Sequence, residues 1–449
     1  MPGTDIRVKD VSFGYDEFRY RSPIKFGGVA LDRATILNVE ITVETESGKI
    51  AHGFGSMPLG NIWAWPTRNL TYDQTLANMK GLAERLPALL KSIGRADHPI
   101  PLGVEFEHHV VDLARGWGSS HGLTESMPTL AALVVASPFD AALHDAYGKA
   151  HGQSVWKLYG REYLRHDLAT YLTPEFQGEY LDQYVLAEPK PRMPLYHLVG
   201  ALDPLTDAEV KDRLTDGLPN TLGEWIQADG LTHLKIKLNG DDLAWDVARV
   251  LGVNQVAETV QAERGVTEWW YSLDFNERCQ DVGYLIEFLT KLKGLSPAGF
   301  ARIQYIEQPT ARDLKANRQN VMHEAAKLRP VVIDESLLDL ESLQLAREMG
   351  YTGVAFKACK GQTQSVILAA AAQKYGLFRC VQDLTCPGAS LIHSASIAAH
   401  IPGVAAIESN GRQYCPAANV GWNERFPGVF TIRDGTMNTA LLNGPGLGT

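Results

Sequence analysis

The chain has 449 residues, of which 45% are hydrophobic and 21% charged, an ordinary globular balance with length for two or three domains. Its 42 basic and 52 acidic residues leave a formal charge of −10 with no basic stripe, which excludes nucleic acid as a natural partner. The most apolar stretch, LAALVVA, is far short of the roughly 20 residues of a membrane helix.

The opening MPGTDIRVKDVSFGYDEFRYR is polar and charged and reads as no signal peptide. Residues 4–12 and 34–55 read as strands. ATILNVEITVETESGKIAHGFG alternates apolar and polar residues about a turn at ESGK, the pattern of an antiparallel meander. Residues 73–95 and 129–159 read as helices, with Ser137-Pro138 as a start signal and Gly152 as a stop in the second. Residues 1–160 therefore form a small α+β domain.

From about 165 the rhythm changes to strand, helix, strand. HDLATYLT (166–173) reads as the first strand of a barrel. Residues 174–222 are rich in Pro, Asp and Leu and long for a strand-to-helix loop, so they read as an insertion overhanging the site. Later segments alternate regularly to VAAIES (404–409), which gives eight strands within 161–424. The tail 425–449 is expected to return to the first domain. Cys279, Cys359, Cys380, Cys386 and Cys415 form no CxxC pair or zinc spacing, and read as reduced thiols of a cytoplasmic protein.

Within that rhythm, charged residues end successive apolar runs. Lys235 and Lys237 close THLKIKL, Asp274 and Asn276 close WWYSLDFNE, and Glu307 closes IQYIEQP. Asp334 and Glu335 close PVVIDES, and Lys357 closes GVAFKACK. Strand ends of a (β/α)8 barrel converge on one mouth, so these groups should meet there. Lys235 and Lys237, two apart, face the same way. Each lysine should depress the other's pKa, which suits a base. Alone, a KxK is an ordinary solvated strand end, and Asp334 or Ser336 could simply cap a helix. Three carboxylates on successive strands repel one another unless a cation sits among them, and oxygen-only ligands favour Mg²⁺.

The set KIK, DFN, IEQP, IDES and FKACK, with SPFDAALHDAYGKAHGQSVWKLYG before it, resembles the enolase superfamily. Within its mandelate racemase/muconate lactonizing enzyme family it is most similar to the muconate lactonizing, lysine-pair subgroup. The resemblance implies an N-terminal α+β capping domain on a modified (β/α)7β TIM barrel. It implies Asp274, Glu307 and Asp334 as Mg²⁺ ligands, Lys237 and Lys357 as an acid/base pair on opposite faces of the substrate, and Lys235 as the group that polarises its carboxylate. The seventh strand, FRCVQDLT, offers Gln382 and Asp383 but no histidine, so the Asp–His dyad of the racemase subgroup is absent, and His393 reads as structural. Lys360 reads as the start of the next loop.

Residues 16–28 and 53–66 match the two mobile loops that close over the site in this family. Arg19, Arg21 and Lys25 could meet a second anion or hydroxyls. Trp63 and Trp65 could stack on a ring or pack between domains, and Asn276, Asp383 and Glu408 could reach substrate. The expected activity is Mg²⁺-dependent abstraction of a proton α to a carboxylate through an enediolate. A racemase, epimerase or cycloisomerase of a small polar carboxylate fits it best. An acid-sugar dehydratase is the alternative, and a metal-free Schiff-base aldolase the remote one. The resemblance also implies a homo-oligomer.

Overall fold

The computed structural model describes residues 3–26 and 29–448. The first unit is an antiparallel sheet of β1 (Ile6–Phe26), β2 (Val29–Thr45) and β3 (Ile50–Pro58). It packs on helices α1 (Asn61–Ala64), α2 (Tyr72–Ser92), α3 (Pro99–Ser120) and α4 (Thr129–His151). Strand β3 lies directly on α4 because it is glycine-bearing. A Cβ at Gly53 would meet Ala142 O at 2.0 Å, and one at Gly55 would meet Pro138 O at 1.9 Å.

Pro138 does not start this helix; it lies inside it. Proline removes one helical donor, and the freed carbonyl of Val134 accepts from Ser137 Oγ at 2.9 Å instead. Gly152 ends the helix in the left-handed conformation (φ 65°), as its position suggests.

The expected loops at 16–28 and 53–66 are largely sheet. β1 and β2 pair along most of their length, with a register shift between Arg19 and Ile24 that leaves residues 20–23 without a register partner. Residues 50–58 are β3, and only 59–66 turn through α1. Residues 27–28 lie outside the described ones.

The second unit is a closed barrel of eight parallel strands. In order these are β4 (Arg192–Val199), β5 (His233–Lys237), β6 (Trp270–Asp274), β7 (Ile303–Glu307), β8 (Val331–Ile333), β9 (Gly353–Phe356), β10 (Phe378–Val381) and β11 (Val404–Glu408). β11 pairs back with β4 and closes the ring.

The first barrel strand is therefore 192–199, not 166–173, where Leu168–Thr170 is a single 3-10 turn. Pro194 argues against a central strand in the sequence. Its edge is instead taken by the antiparallel β12 (Thr436–Asn438), where Thr436 faces Pro194. The real excursion on the mouth side is 200–221, ahead of helix α5 (Leu222–Asp229). The tail thus touches both units, since Leu447 N donates to Asp145 of α4 at 2.9 Å. Among the described residues, no helix is long and apolar enough to cross a membrane.

Tyr196, Tyr305, Val332, Ala355, Cys380 and Ala406 fill the barrel interior. Tyr305, Val332, Ala355, Cys380 and Ala406 lie two residues before Glu307, Asp334, Lys357, Gln382 and Glu408. One apolar layer thus supports one polar layer, by the two-residue period of a strand.

Candidate active site

Cross-strand register builds the mouth. Lys237 pairs with Asp274, and Asp274 pairs with Glu307, so three candidate side chains stand level on β5, β6 and β7. Lys237 Nζ donates to Asp274 Oδ2 at 2.5 Å and to Asn276 Oδ1 at 3.0 Å. Asn276 adopts a left-handed conformation (φ 45°), which returns its N–H to Asp274 Oδ1 at 2.8 Å. Lys235 Nζ donates to Glu307 Oε1 at 2.9 Å, and to Gln382 Oε1 and Glu408 Oε2 at 2.8 Å each. Those three bonds saturate an ammonium.

The opposite wall starts at β9. Lys357, the residue after this strand, lies 2.7 Å from Asp334 Oδ2. Lys360 donates to Asp334 Oδ1 at 3.1 Å and to the Asp334 carbonyl at 2.5 Å. It is buried in the site and does not open a surface loop. Gln308, also left-handed (φ 31°), fixes the end of β8 by accepting from Asp334 N at 3.1 Å and Ser336 N at 3.2 Å.

Four buried ammonium groups (Lys235, Lys237, Lys357, Lys360) face six buried carboxyl groups (Asp274, Glu307, Asp334, Glu335, Asp383, Glu408). With every group ionised, negative charge is in excess, and burial penalises it. Burial raises Glu307 well above the carboxylate range despite Lys235. Burial and then Asp334 raise Glu335 to about 7, and burial and then Glu408 raise Asp383 to about 6. Burial is the largest single influence on Asp274 and Asp334 too, but Lys237 with Lys235, and Lys357 with Lys360 and Lys235, together hold them well below the usual range.

Burial would lower Lys235 and Lys357, but Glu307 and Asp334 push them above the ordinary lysine range. The expected mutual depression of neighbouring lysines is therefore not met at Lys235; carboxylates, not the other lysine, dominate its surroundings.

The remaining candidates divide. Lys25 lines a small cavity with Lys237, Asn276 and Arg278. Asp383 accepts from Cys386 N at 2.5 Å and Asn410 N at 2.6 Å, and Glu408 accepts from Asn410 Nδ2 at 2.6 Å as well as from Lys235. Both are walls of the site.

Arg21 is not at the mouth. Its guanidinium binds Asp216 and the carbonyls of Leu218 (3.2 Å) and Pro219 (3.0 Å). Arg19 is exposed and lies 3.6 Å from Asp32. Trp63 faces Lys357 and Glu335, whereas Trp65 donates to Glu125 at 2.8 Å, away from the site. His393 is buried in the helix Gly388–His400. Sequence reasoning missed Gln382 as a partner of Lys235; its place two residues after the inward Cys380 was the available signal.

The donor set suits a hard divalent cation. Asp274 and Glu307 end and Asp334 follows adjacent strands, and Glu307 Oε2 is buried without a hydrogen bond, whereas Asp334 Oδ2 is met by Lys357. Among the described residues, no three acidic, cysteine or histidine side chains already converge as a cation cage. The ammonium groups stand between the carboxylates and neutralise them in its place.

Residues 219–449, just over half of the chain, match the family model described as enolase C-terminal domain-like. The chain belongs to the enolase C-terminal domain-like family. Within the enolase superfamily it stands with the mandelate racemase/muconate lactonizing enzymes.

It is 26% identical over 234 residues to the L-Ala-D/L-Glu epimerase of Bacillus subtilis (strain 168), covering 50% of this chain and 56% of that enzyme. The chain thus spans about half the length of this curated relative. Two solved structures share the enolase-superfamily fold over nearly the whole chain. The dipeptide epimerase of Enterococcus faecalis V583, complexed with Mg and L-Leu-L-Tyr, is 15% identical with a TM-score of 0.62, covering 98% of this chain and 99% of that one. The muconate lactonizing enzyme of Pseudomonas fluorescens, with muconolactone, is 16% identical with a TM-score of 0.61, covering 98% and 96%.

Proposed function

We infer that this protein is a Mg²⁺-dependent isomerase that moves a proton on the carbon α to a carboxylate. The observation that carries the reading is topological. Lys237 ends β5 and Lys357 follows β9, four strands apart in a closed ring of eight, with the carboxylate strands β6, β7 and β8 between them. A substrate lying across the mouth meets one lysine on each face. The epimerase and lactonizing relatives support the same class.

Asp274, Glu307 and Asp334 would hold Mg²⁺. When bound, the ion supplies positive charge against the negative charge that develops on the substrate carboxylate. It would also withdraw the carboxylates that now hold Lys235 and Lys357 protonated, returning the lysines toward a useful range. Lys235, relieved of one acceptor, orients the substrate carboxylate. One of Lys237 and Lys357 takes the α-proton as a free amine, leaving an enediolate. The other returns a proton to the opposite face, which inverts the centre; in a cycloisomerisation the enediolate arises instead when a second carboxylate oxygen adds to a conjugated double bond, and a lysine then protonates the α-carbon. The substrate class is a small polar carboxylic acid.

Incubation of a library of such acids with enzyme and Mg²⁺ in D₂O, read by mass spectrometry, tests the reading. One deuterium gained on carbon is expected of either isomerase, with the skeleton's fragmentation unchanged for an epimerase and changed for a cycloisomerase. Loss of water would replace isomerisation by acid-sugar dehydration, and trapping with borohydride would replace it by Schiff-base chemistry.

A further inference from the structure

Trp63 belongs to α1 of the first unit, yet its side chain is buried against groups of the barrel. Its ring centroid lies 4.1 Å from Lys357 Nζ and 5.9 Å from Lys360 Nζ. Its indole N–H donates to Glu335 Oε1 at 2.9 Å. Its carbonyl accepts from Arg312 Nη1 at 3.1 Å, and Arg312 in turn pairs with Glu277. Trp63 is therefore held at three points, its backbone by its own helix and by Arg312 and its indole by Glu335. Lys357 has a flexible four-carbon stem. Asp334 restrains its ammonium on one side, and the indole face covers another.

We propose that Trp63 is a positioning residue for Lys357, through which the capping unit holds this lysine in register with the α-carbon. The ring is a wall against which the ammonium rests, not a platform for a substrate ring. An aromatic face suits that task because it attracts the cation and excludes water without offering a proton acceptor. The indole N–H on Glu335 fixes the plane of the ring. Proton transfer on the Lys357 face depends on the capping unit being seated, because the ring on which this ammonium rests belongs to that unit.

This proposal rests on the lysine-pair reading, and its test separates the two. The two epimers of a substrate present their α-hydrogen to opposite lysines, so α-deuterium exchange is measured from each epimer separately. Trp63→Leu should slow exchange from the epimer served by Lys357 about tenfold and leave the other within about twofold. Trp63→Phe, which keeps a ring face, should recover most of the loss. Equal slowing of both epimers, or the same result for Leu and Phe, would overturn the proposal.

A second readout needs no substrate. The 13Cε resonance of Lys357, assigned with Lys357→Arg, should be ring-shifted and sharp in wild type and Trp63→Phe, and move to the free-lysine position in Trp63→Leu. An unshifted wild-type resonance would overturn the proposal even if no substrate is found. Wild-type exchange from neither epimer, with the resonance behaving as described, would reject the lysine-pair reading and leave the placement of Lys357 by Trp63 standing.

Discussion

Lys235 Nζ donates to Glu408 Oε2 at 2.8 Å, joining β5 to β11 across 173 residues of chain. The two strands flank β4, whose inward residue at this level is the apolar Leu198. The pair therefore bridges the seam where the barrel closes. It also explains Glu408, which reaches Lys235 before any substrate could.

Replacing Lys237 or Lys357 by alanine should each lower turnover by about 10²–10⁴-fold, the usual worth of a positioned acid or base. Each variant should still exchange the α-hydrogen of one epimer. Deuterium incorporation by mass spectrometry checks this, and substantial turnover by Lys357→Ala would remove it from the acid/base pair.

Glu307→Gln should weaken Mg²⁺ binding by tenfold or more, because it removes an anionic ligand whose Oε2 is otherwise without a partner. Isothermal titration calorimetry with Mg²⁺ measures it. Added Mg²⁺ should raise the melting temperature of wild type more than that of the variant. Equal affinities would refute the ligand assignment.

Arg21→Ala should lower stability by about 1–3 kcal/mol, because it strips donors from the carbonyls of Leu218 and Pro219 and frees Asp216. The side chain is only 8% exposed, so water does not readily replace it. Chemical denaturation gives the value. An unchanged midpoint would show that the hairpin is not anchored on 200–221 through this residue.

Asp140 joins the units, accepting from Thr363 N and Thr363 Oγ1 at 2.7 Å each. Burial raises its pKa to about 6, although those hydrogen bonds oppose the shift. The folded state thus holds a proton that the unfolded state has released between about pH 4 and 6, so this group makes stability fall as pH rises through that window. The loss is on the order of 2–3 kcal/mol and levels off above pH 6. Denaturation curves from pH 4 to 7 should show that slope reduced in Asp140→Asn. An identical slope in the variant would assign the pH dependence elsewhere.

The barrel was legible from β5 onward because its strands are short apolar runs ending in charge at regular spacing. β4 was hidden because Pro194 disguises it, and the strands that pair with it, β5, β11 and β12, all come later in the chain. Residues 16–28 and 53–66 read as loops from the family resemblance, and the pairing of β1 and β3 with β2 shows only in the structure. Pro138 looked like a helix start because its lost hydrogen bond is replaced by a side chain, which local rules do not foresee.

By itself, the sequence determined which residue types reach the mouth, since a strand's two-residue period and the order of the strands dictate that Lys235, Lys237, Asp274, Glu307, Asp334 and Lys357 face inward. Only the tertiary structure decided their partners. Arg21 turned to Asp216, Trp63 to Lys357, Lys360 to Asp334 and Glu408 to Lys235. Long charged side chains settle where burial leaves a complementary charge within reach, and that is set by strands and helices brought together from distant parts of the chain.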